Sequence, residues 1–186
     1  MAEPLAKWTV NDYHRMVDAG ILGDRRVELL EGNIVEMAPE QPIHAYFYHR
    51  VYQTLDRLLA GRAAVFPPRP IDLTQTDSEP EPDVTVCQLP YERYEHHHPS
   101  PSEIYWAVEI ANTSLERDLE TKARTYARAG LLEYWVVDLP HRQLIVHRQP
   151  LVEQARYAFV QTFDAGVLQP LAFPDTEVSL ADLLGE

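Results

Sequence analysis

The heptapeptide Trp106-Ala107-Val108-Glu109-Ile110-Ala111-Asn112, WAVEIAN, sets one carboxylate in the middle of a run with the length and composition of a buried strand. A charged side chain in such a place costs several kcal/mol, on a scale of roughly 2–7 kcal/mol for polar groups and more for ions, unless it is paired, protonated or bound to a metal. Glu109 therefore needs a partner, and the neighbouring elements must supply it.

Downstream, the strand Ile104–Ala111 feeds a helix expected from about Leu115 to Ala129, closed by Gly130 where a left-handed cap is common. At 100° per residue Leu115, Leu119, Lys122, Tyr126 and Ala129 share one stripe, and Glu116, Arg117, Glu120, Arg124 and Arg128 lie opposite. Lys122 thus sits in the stripe that faces the sheet. Two readings are open for it: its stem packs at the core edge while the ammonium reaches water, or the ammonium is held near carboxylates.

Upstream, Asp83 follows a proline and opens the apolar strand Asp83–Cys87. An aspartate at a strand end is most often a turn or capping residue. Yet a carboxylate at one strand, a second within the next and a lysine on the following helix are also the parts that hold a hard divalent cation and steady a phosphate. Mg²⁺ takes oxygen ligands, commonly one or two carboxylates plus substrate phosphate, and it activates water for in-line attack. A lysine beside it orients that water or stabilises charge in the transition state.

The rest of the chain alternates α and β. Thr9 and Asp12 form a variant capping box for a short helix reaching Ala19-Gly20, and RVELLEGNIVEM reads as a hairpin around Glu31-Gly32-Asn33. From Pro42 to about Ala60, apolar residues at Ile43, Phe47, Val51, Leu55 and Leu58 have helical spacing. Prolines after Gly61 exclude a helix and favour strands near Ala63–Pro67 and Asp83–Cys87. Leu89–Glu103 reads as an exposed loop. EYWVVD is a further buried strand; RQLIVHR, ARYAFVQTF and VLQPL are expected as later, less buried ones, and VSLADLLG as a short helix.

Composition bounds the function. The 186 residues are 45% hydrophobic, enough for one domain over residues 1–186 with a sizeable core. The N-terminal stretch lacks a basic start and an unbroken apolar segment, and no run approaches the ~20 apolar residues of a membrane span. A soluble, cytoplasmic protein is expected. The net charge of −13 argues against a general nucleic-acid coat protein, since non-specific binding rests on Lys and Arg neutralising phosphates. Cys87, the lone cysteine, is expected as a buried small hydrophobe.

The ordered blocks EGNIVEM, PIHAYFYHRVYQTL, EPDVTV and VEIANTSLERDLETKARTYARAGLLEYWVVD closely resemble the Uma2-type endonuclease family, formerly a domain of unknown function, within the PD-(D/E)XK nuclease superfamily. The most specific part runs from Val108 to Asp138, with its strand glutamate, helix lysine, YARAG and EYW-VD. The resemblance implies an α/β (α+β) fold, a restriction-endonuclease-like central mixed β-sheet flanked by helices, with additional C-terminal strands. Pro82-Asp83 matches the superfamily's first motif and Glu109 its second. The usual Glu-x-Lys lysine would fall at Ala111, and the family places it on the next helix, at Lys122. Asn112-Thr113 stand where many relatives have Ser-Pro. Glu28 and Glu31 in the hairpin and His44 in the first long helix match further family positions. For Glu28 the alternatives are solvent exposure or an arginine partner; for His44, capping or packing of the helix start.

Other constellations are weaker. His96-His97-His98 point in different directions and lack companions at ligand spacing, so a surface loop is expected. Ser114 lacks the Gly-x-Ser-x-Gly elbow of a nucleophile, and Tyr46, Tyr48 and Tyr52 suit packing or partner contacts. The sequence thus points to a metal-dependent DNA endonuclease: Asp83 and Glu109 ligate Mg²⁺ or Mn²⁺, Lys122 assists the water or the phosphate, and Arg117, Arg124 and Arg128, or arginines of a second subunit, meet the DNA. The rival is a non-catalytic binding or assembly module that keeps the nuclease fold, with edge strands near the C-terminus and exposed aromatics as the features available to a homodimer.

Overall fold

Local signals in the sequence set the element boundaries. The computed structural model describes residues 5–185; Met1–Pro4 and Glu186, which belong to the predicted domain and, at the N-terminus, to the stretch read for a leader segment, lie outside the described residues. Helix α1 (Val10–Asp18) starts with the capping box: Asp12 N–H donates to Thr9 Oγ1 at 3.1 Å, and Thr9 N–H donates back to Asp12 Oδ2 at 3.2 Å. Strands β1 (Val27–Leu30) and β2 (Asn33–Glu36) pair antiparallel around Glu31 and Gly32, both at positive φ. Gly32 is required twice over, because a Cβ there would also lie 2.9 Å from the Lys7 Cβ. A backbone bridge from Leu29 to Glu79 ties the hairpin to the chain entering the main sheet.

Helix α2 (Pro42–Leu58) begins at a proline whose missing N–H costs nothing in the first turn. Six strands then form the main sheet in the order β3-β4-β5-β6-β7-β8: β3 (Ala64–Phe66), β4 (Val84–Cys87), β5 (Ile104–Ala111), β6 (Glu133–Asp138), β7 (Gln143–Leu151) and β8 (Arg156–Phe163). Only β5 and β6 pair in parallel, as their helical crossover requires. This is the mixed central sheet flanked by helices that the sequence leads one to expect.

Strand parity decides which side chain faces which helix. Trp106, Val108 and Ile110 of β5 pack with Phe47, Val51 and Leu55 of α2 and with Leu180, Leu183 and Leu184 of the C-terminal helix α5 (Leu180–Leu184). Ala107 and Ala111 face the other layer, against Ala123, Tyr126 and Ala127. Each large aliphatic side chain buried this way contributes about 1.5–3 kcal/mol, so packing, more than helix propensity, holds these helices on the sheet.

Three local expectations are corrected. Leu144–His147 of β7 are buried, because Leu144 and Val146 face the α2–α5 layer while Ile145 faces the crossover layer and His147 packs against Tyr134 and Tyr157. Leu89–Glu103 is not wholly exposed: Tyr94 is buried edge-on against Phe66, its hydroxyl donating to the Gln88 carbonyl. VLQPL reduces to β9 (Val167–Leu168), which pairs with β10 (Val178–Ser179) outside the main sheet. No helix among the described residues is long and apolar enough to cross a membrane.

Candidate active site

Glu109 follows the parity of Ala107 and Ala111, so it projects into the crossover-helix layer between two small neighbours that leave it room. Lys122 Nζ donates to Glu109 Oε1 at 2.8 Å, and the Tyr126 hydroxyl donates to the same oxygen at 2.7 Å. These are the partners that WAVEIAN demands. Lys122 also pairs with Glu28 Oε2 at 3.2 Å, and its side chain is only 3% exposed. Glu28 is neither solvent-facing nor paired with an arginine: it is fully buried, with Oε2 also accepting the Glu81 N–H and Oε1 left without a hydrogen-bond partner among the described residues.

Asp83 lies one residue before β4, where Val84 stands opposite Val108, and it reaches across to β5. Its Oδ2 accepts the Ile110 N–H at 2.7 Å, beside Glu109, and lies 3.2 Å from His44 Nε2. His44 Nδ1 lies 3.2 Å from Glu40 Oε1. Burial alone would push the His44 pKa down; the hydrogen bonds and charges of Asp83 and Glu40 outweigh it and raise it to about 9. His44 does not cap the helix, since Gln41 holds that position.

The crossover is less regular than its sequence stripe implies. Helices α3 (Leu115–Arg117) and α4 (Ala123–Arg128) are joined by a wide π-type turn, Asp118–Lys122, that buries both of its end residues. The Tyr134 hydroxyl donates to the Asp118 carbonyl at 3.0 Å, and Ser114 Oγ donates to the Asp118 carboxylate. Ser114 is thereby engaged with an acid and not with a histidine.

Glu28 and Glu109 therefore hold one ammonium between them, and Asp83 and Asp118 lie near enough to act on Glu109. Burial pushes the Glu109 pKa up despite Lys122, and Asp83, Asp118 and Glu28 add to the push. For Lys122, burial works toward the neutral amine, but Glu109, Glu28 and Asp118 overcome it and hold the proton on Nζ. Raised acid and raised base are compatible here: the cluster carries surplus negative charge, which a proton or a divalent cation balances.

Asp83, Glu109, Lys122 and His44 line one cavity of about 190 Å³, and Glu28 reaches it through Lys122. Glu31 stands apart, paired with Arg124 at 3.1 Å and more loosely with Arg128 at 3.9 Å. That pairing ties up two of the three arginines expected to meet DNA, whereas Arg117 lines the cavity. Sequence reasoning passed over Asp118, Tyr126 and Glu81 as site residues. The first two stand four residues either side of Lys122 on one helical face, and Glu81 shares the parity of Asp83; those spacings were the available signal.

The donor set suits a hard ion. Asp83 and Glu109 offer carboxylate oxygens to the same cavity, while no three or more His, Cys, Asp or Glu side chains among the described residues form a metal cage by themselves. Mg²⁺ is commonly held in this way, by one or two carboxylates with water and substrate phosphate. A closed structural zinc site needs four protein ligands, and His96-His97-His98 do not assemble one.

A family model described as "Uma2: Putative restriction endonuclease" matches residues 10–181. The chain belongs to the Uma2 family. No curated protein matches it. Among solved structures it is similar to one described as the "Crystal structure of a putative nuclease belonging to DUF820 from Anabaena variabilis ATCC 29413", at 17% identity and a TM-score of 0.63, over 87% of this chain and 90% of that one. At that identity the likeness shows the nuclease fold alone. Within the Uma2 match fall the hairpin, the main sheet and the crossover, so every cavity residue described above lies inside it.

Proposed function

We propose that this Uma2 protein is a metal-dependent DNA endonuclease that hydrolyses phosphodiester bonds, with Asp83 and Glu109 as ligands of Mg²⁺ or Mn²⁺. One observation carries the reading: a carboxylate from β5 and one from the residue that leads into the adjacent β4 open on one cavity, with a buried ammonium 2.8 Å from the first. When bound, the divalent ion would supply Lewis-acid stabilisation of the phosphate and lower the pKa of a coordinated water, with Asp83 and Glu109 holding it.

The chain's own residues do the rest. Lys122 keeps its proton, so it acts as a fixed positive charge toward the water or the phosphate oxygens and not as a base. Glu28 anchors that ammonium from behind, and Tyr126 fixes the Glu109 carboxylate. His44 holds Asp83 in place from the helix side. Glu31, bound to Arg124, has no part in the chemistry.

Calorimetric titration of Mn²⁺ and Mg²⁺ into the wild type and Glu109→Gln tests the reading before any substrate is known. Binding that disappears in a folded Glu109→Gln protein supports it and justifies screening DNA substrates. Equal heats in both proteins, or none in either, move the weight to a catalytically silent module with a nuclease fold.

A further inference from the structure

The −13 charge poses a problem for any polyanionic substrate. Lys122 is consumed by two carboxylates, and most other cations are also engaged: Arg50 with the Ala181 and Asp182 carbonyls, Arg62 with Asp175, Arg124 with Glu31, Arg148 with Glu133. Arg26 and Arg117 differ. The Arg26 guanidinium makes no hydrogen bond or ion pair among the described residues, although it lines the catalytic cavity. Arg117 Nε is buried with no hydrogen-bond acceptor, its nearest carboxylate oxygen lying 4.0 Å away on Asp118.

Both arginines also line a second groove, which shares Met37, Ala38 and Pro39 with the cavity and runs past the end of the hairpin. A guanidinium presents a planar fork of donors matched to phosphate oxygens. We propose that Arg26 and Arg117 are the substrate's phosphate clamp, receiving the phosphodiester groups that flank the scissile one, so that a nucleic-acid strand runs from the Asp83–Glu109 cavity into the groove beside Met37–Pro39. This rests on the nuclease reading for the position of the scissile phosphate. The competing role, simple neutralisation of nearby acids, is real: Arg26 opposes the raised pKa of Glu81, and Arg117 that of Asp118.

Counterion release separates the two roles. A fluorescently labelled twelve-nucleotide oligothymidylate is titrated in EDTA over a range of salt concentrations, against the wild type, Arg26→Gln, Arg117→Gln and the charge-matched control Arg124→Gln. Each arginine that neutralises a phosphate contributes about 0.7 to the slope of log K against log salt for a single strand. The slope should fall by about 0.7 in each of the first two variants, by about 1.4 in their double variant, and stay unchanged in Arg124→Gln. Unchanged slopes, equal loss in the control, or no wild-type binding at the lowest salt would overturn the clamp. Mn²⁺ titration of the same proteins keeps the two proposals distinguishable. Glu109-dependent metal binding with unchanged slopes refutes the clamp alone; slopes that fall in a protein that binds no metal refute the nuclease reading alone.

Discussion

Two glutamates lie buried in adjacent strands of the sheet, and they are opposites. Glu133, at the start of β6, is completely satisfied: Oε1 accepts Arg148 Nε at 2.8 Å, Arg148 Nη2 at 2.6 Å and Trp135 Nε1 at 2.9 Å, and Oε2 accepts the Leu171 N–H at 2.8 Å. Arg148 goes on to the Gln169 carbonyl, so the cluster clasps the C-terminal segment to the sheet. Glu109 takes both of its donors on one oxygen, shares its ammonium with Glu28, and opens on a cavity. A buried carboxylate whose charge and hydrogen bonds are balanced is a structural joint. One left among surplus negative charge is poised to take a cation.

The largest effect that sharpens this contrast is on stability. Glu133→Leu removes four acceptor contacts and leaves Arg148 without its carboxylate; breaking one side of a buried pair costs about 3–5 kcal/mol, and the partial exposure of Arg148 puts the loss near the lower end. Urea unfolding should show it, with Mn²⁺ binding intact in the folded protein. Loss of metal binding as well would merge the two sites into one network.

The same structural region should govern acid sensitivity. His147, packed between Tyr134 and Tyr157, has its pKa pushed down to about 4 by burial, against a weaker upward pull from the Tyr134 backbone. The unfolded chain takes up this proton below about pH 6.5 and the folded chain only near pH 4. Stability therefore falls as pH drops through that window, by up to about 3 kcal/mol, and is unaffected by this group above it. His147→Phe should flatten that part of a stability–pH profile, and an unchanged profile would assign the acid sensitivity elsewhere.

At the other glutamate the balance inverts. Glu109→Gln relieves crowding among four acids while Lys122 keeps Glu28, so unfolding free energy should move by less than about 1 kcal/mol, on the scale of a single hydrogen bond. Cleavage of any DNA substrate should fall at least about 100-fold, which is about 2.7 kcal/mol of transition-state stabilisation. A large stability loss with residual activity would make Glu109 a second structural joint.

Residue order in the sequence carried most of this architecture because parity and helical spacing are local properties. WAVEIAN announces a buried carboxylate in need of a partner, and Lys122 in an apolar stripe announces a buried ammonium. EYWVVD contains the same signal at Glu133, but of its partners only Trp135 is local; the charge comes from Arg148 on β7 and a further donor from Leu171, and a cation fifteen residues on has no periodicity to mark it. Glu31 lies away from the cavity for a related reason: it sits in the turn at positive φ, three residues beyond Glu28, and pairs with Arg124. The π-type turn is invisible to any argument built on 100° per residue, although Asp118 keeps its four-residue spacing to Lys122 across it.

The smallest effect is the most discriminating. Tyr126→Phe removes one hydroxyl, 2.7 Å from Glu109 Oε1, and leaves Lys122 in place on the same oxygen. If Glu109 is a ligand, Tyr126 is its positioning residue, and deletion of such an outer partner weakens metal binding about 10–100-fold. Trp135→Phe makes the matching deletion at Glu133, removing the indole N–H that donates at 2.9 Å, and should lower stability without touching Mn²⁺ affinity. Each variant loses one buried donor to a carboxylate, but Trp135→Phe also leaves a void beside Trp106, so its stability loss should be the larger of the two, while only Tyr126→Phe should weaken the metal titration. Identical titrations would mean that the two glutamates differ in their partners but not in their purpose.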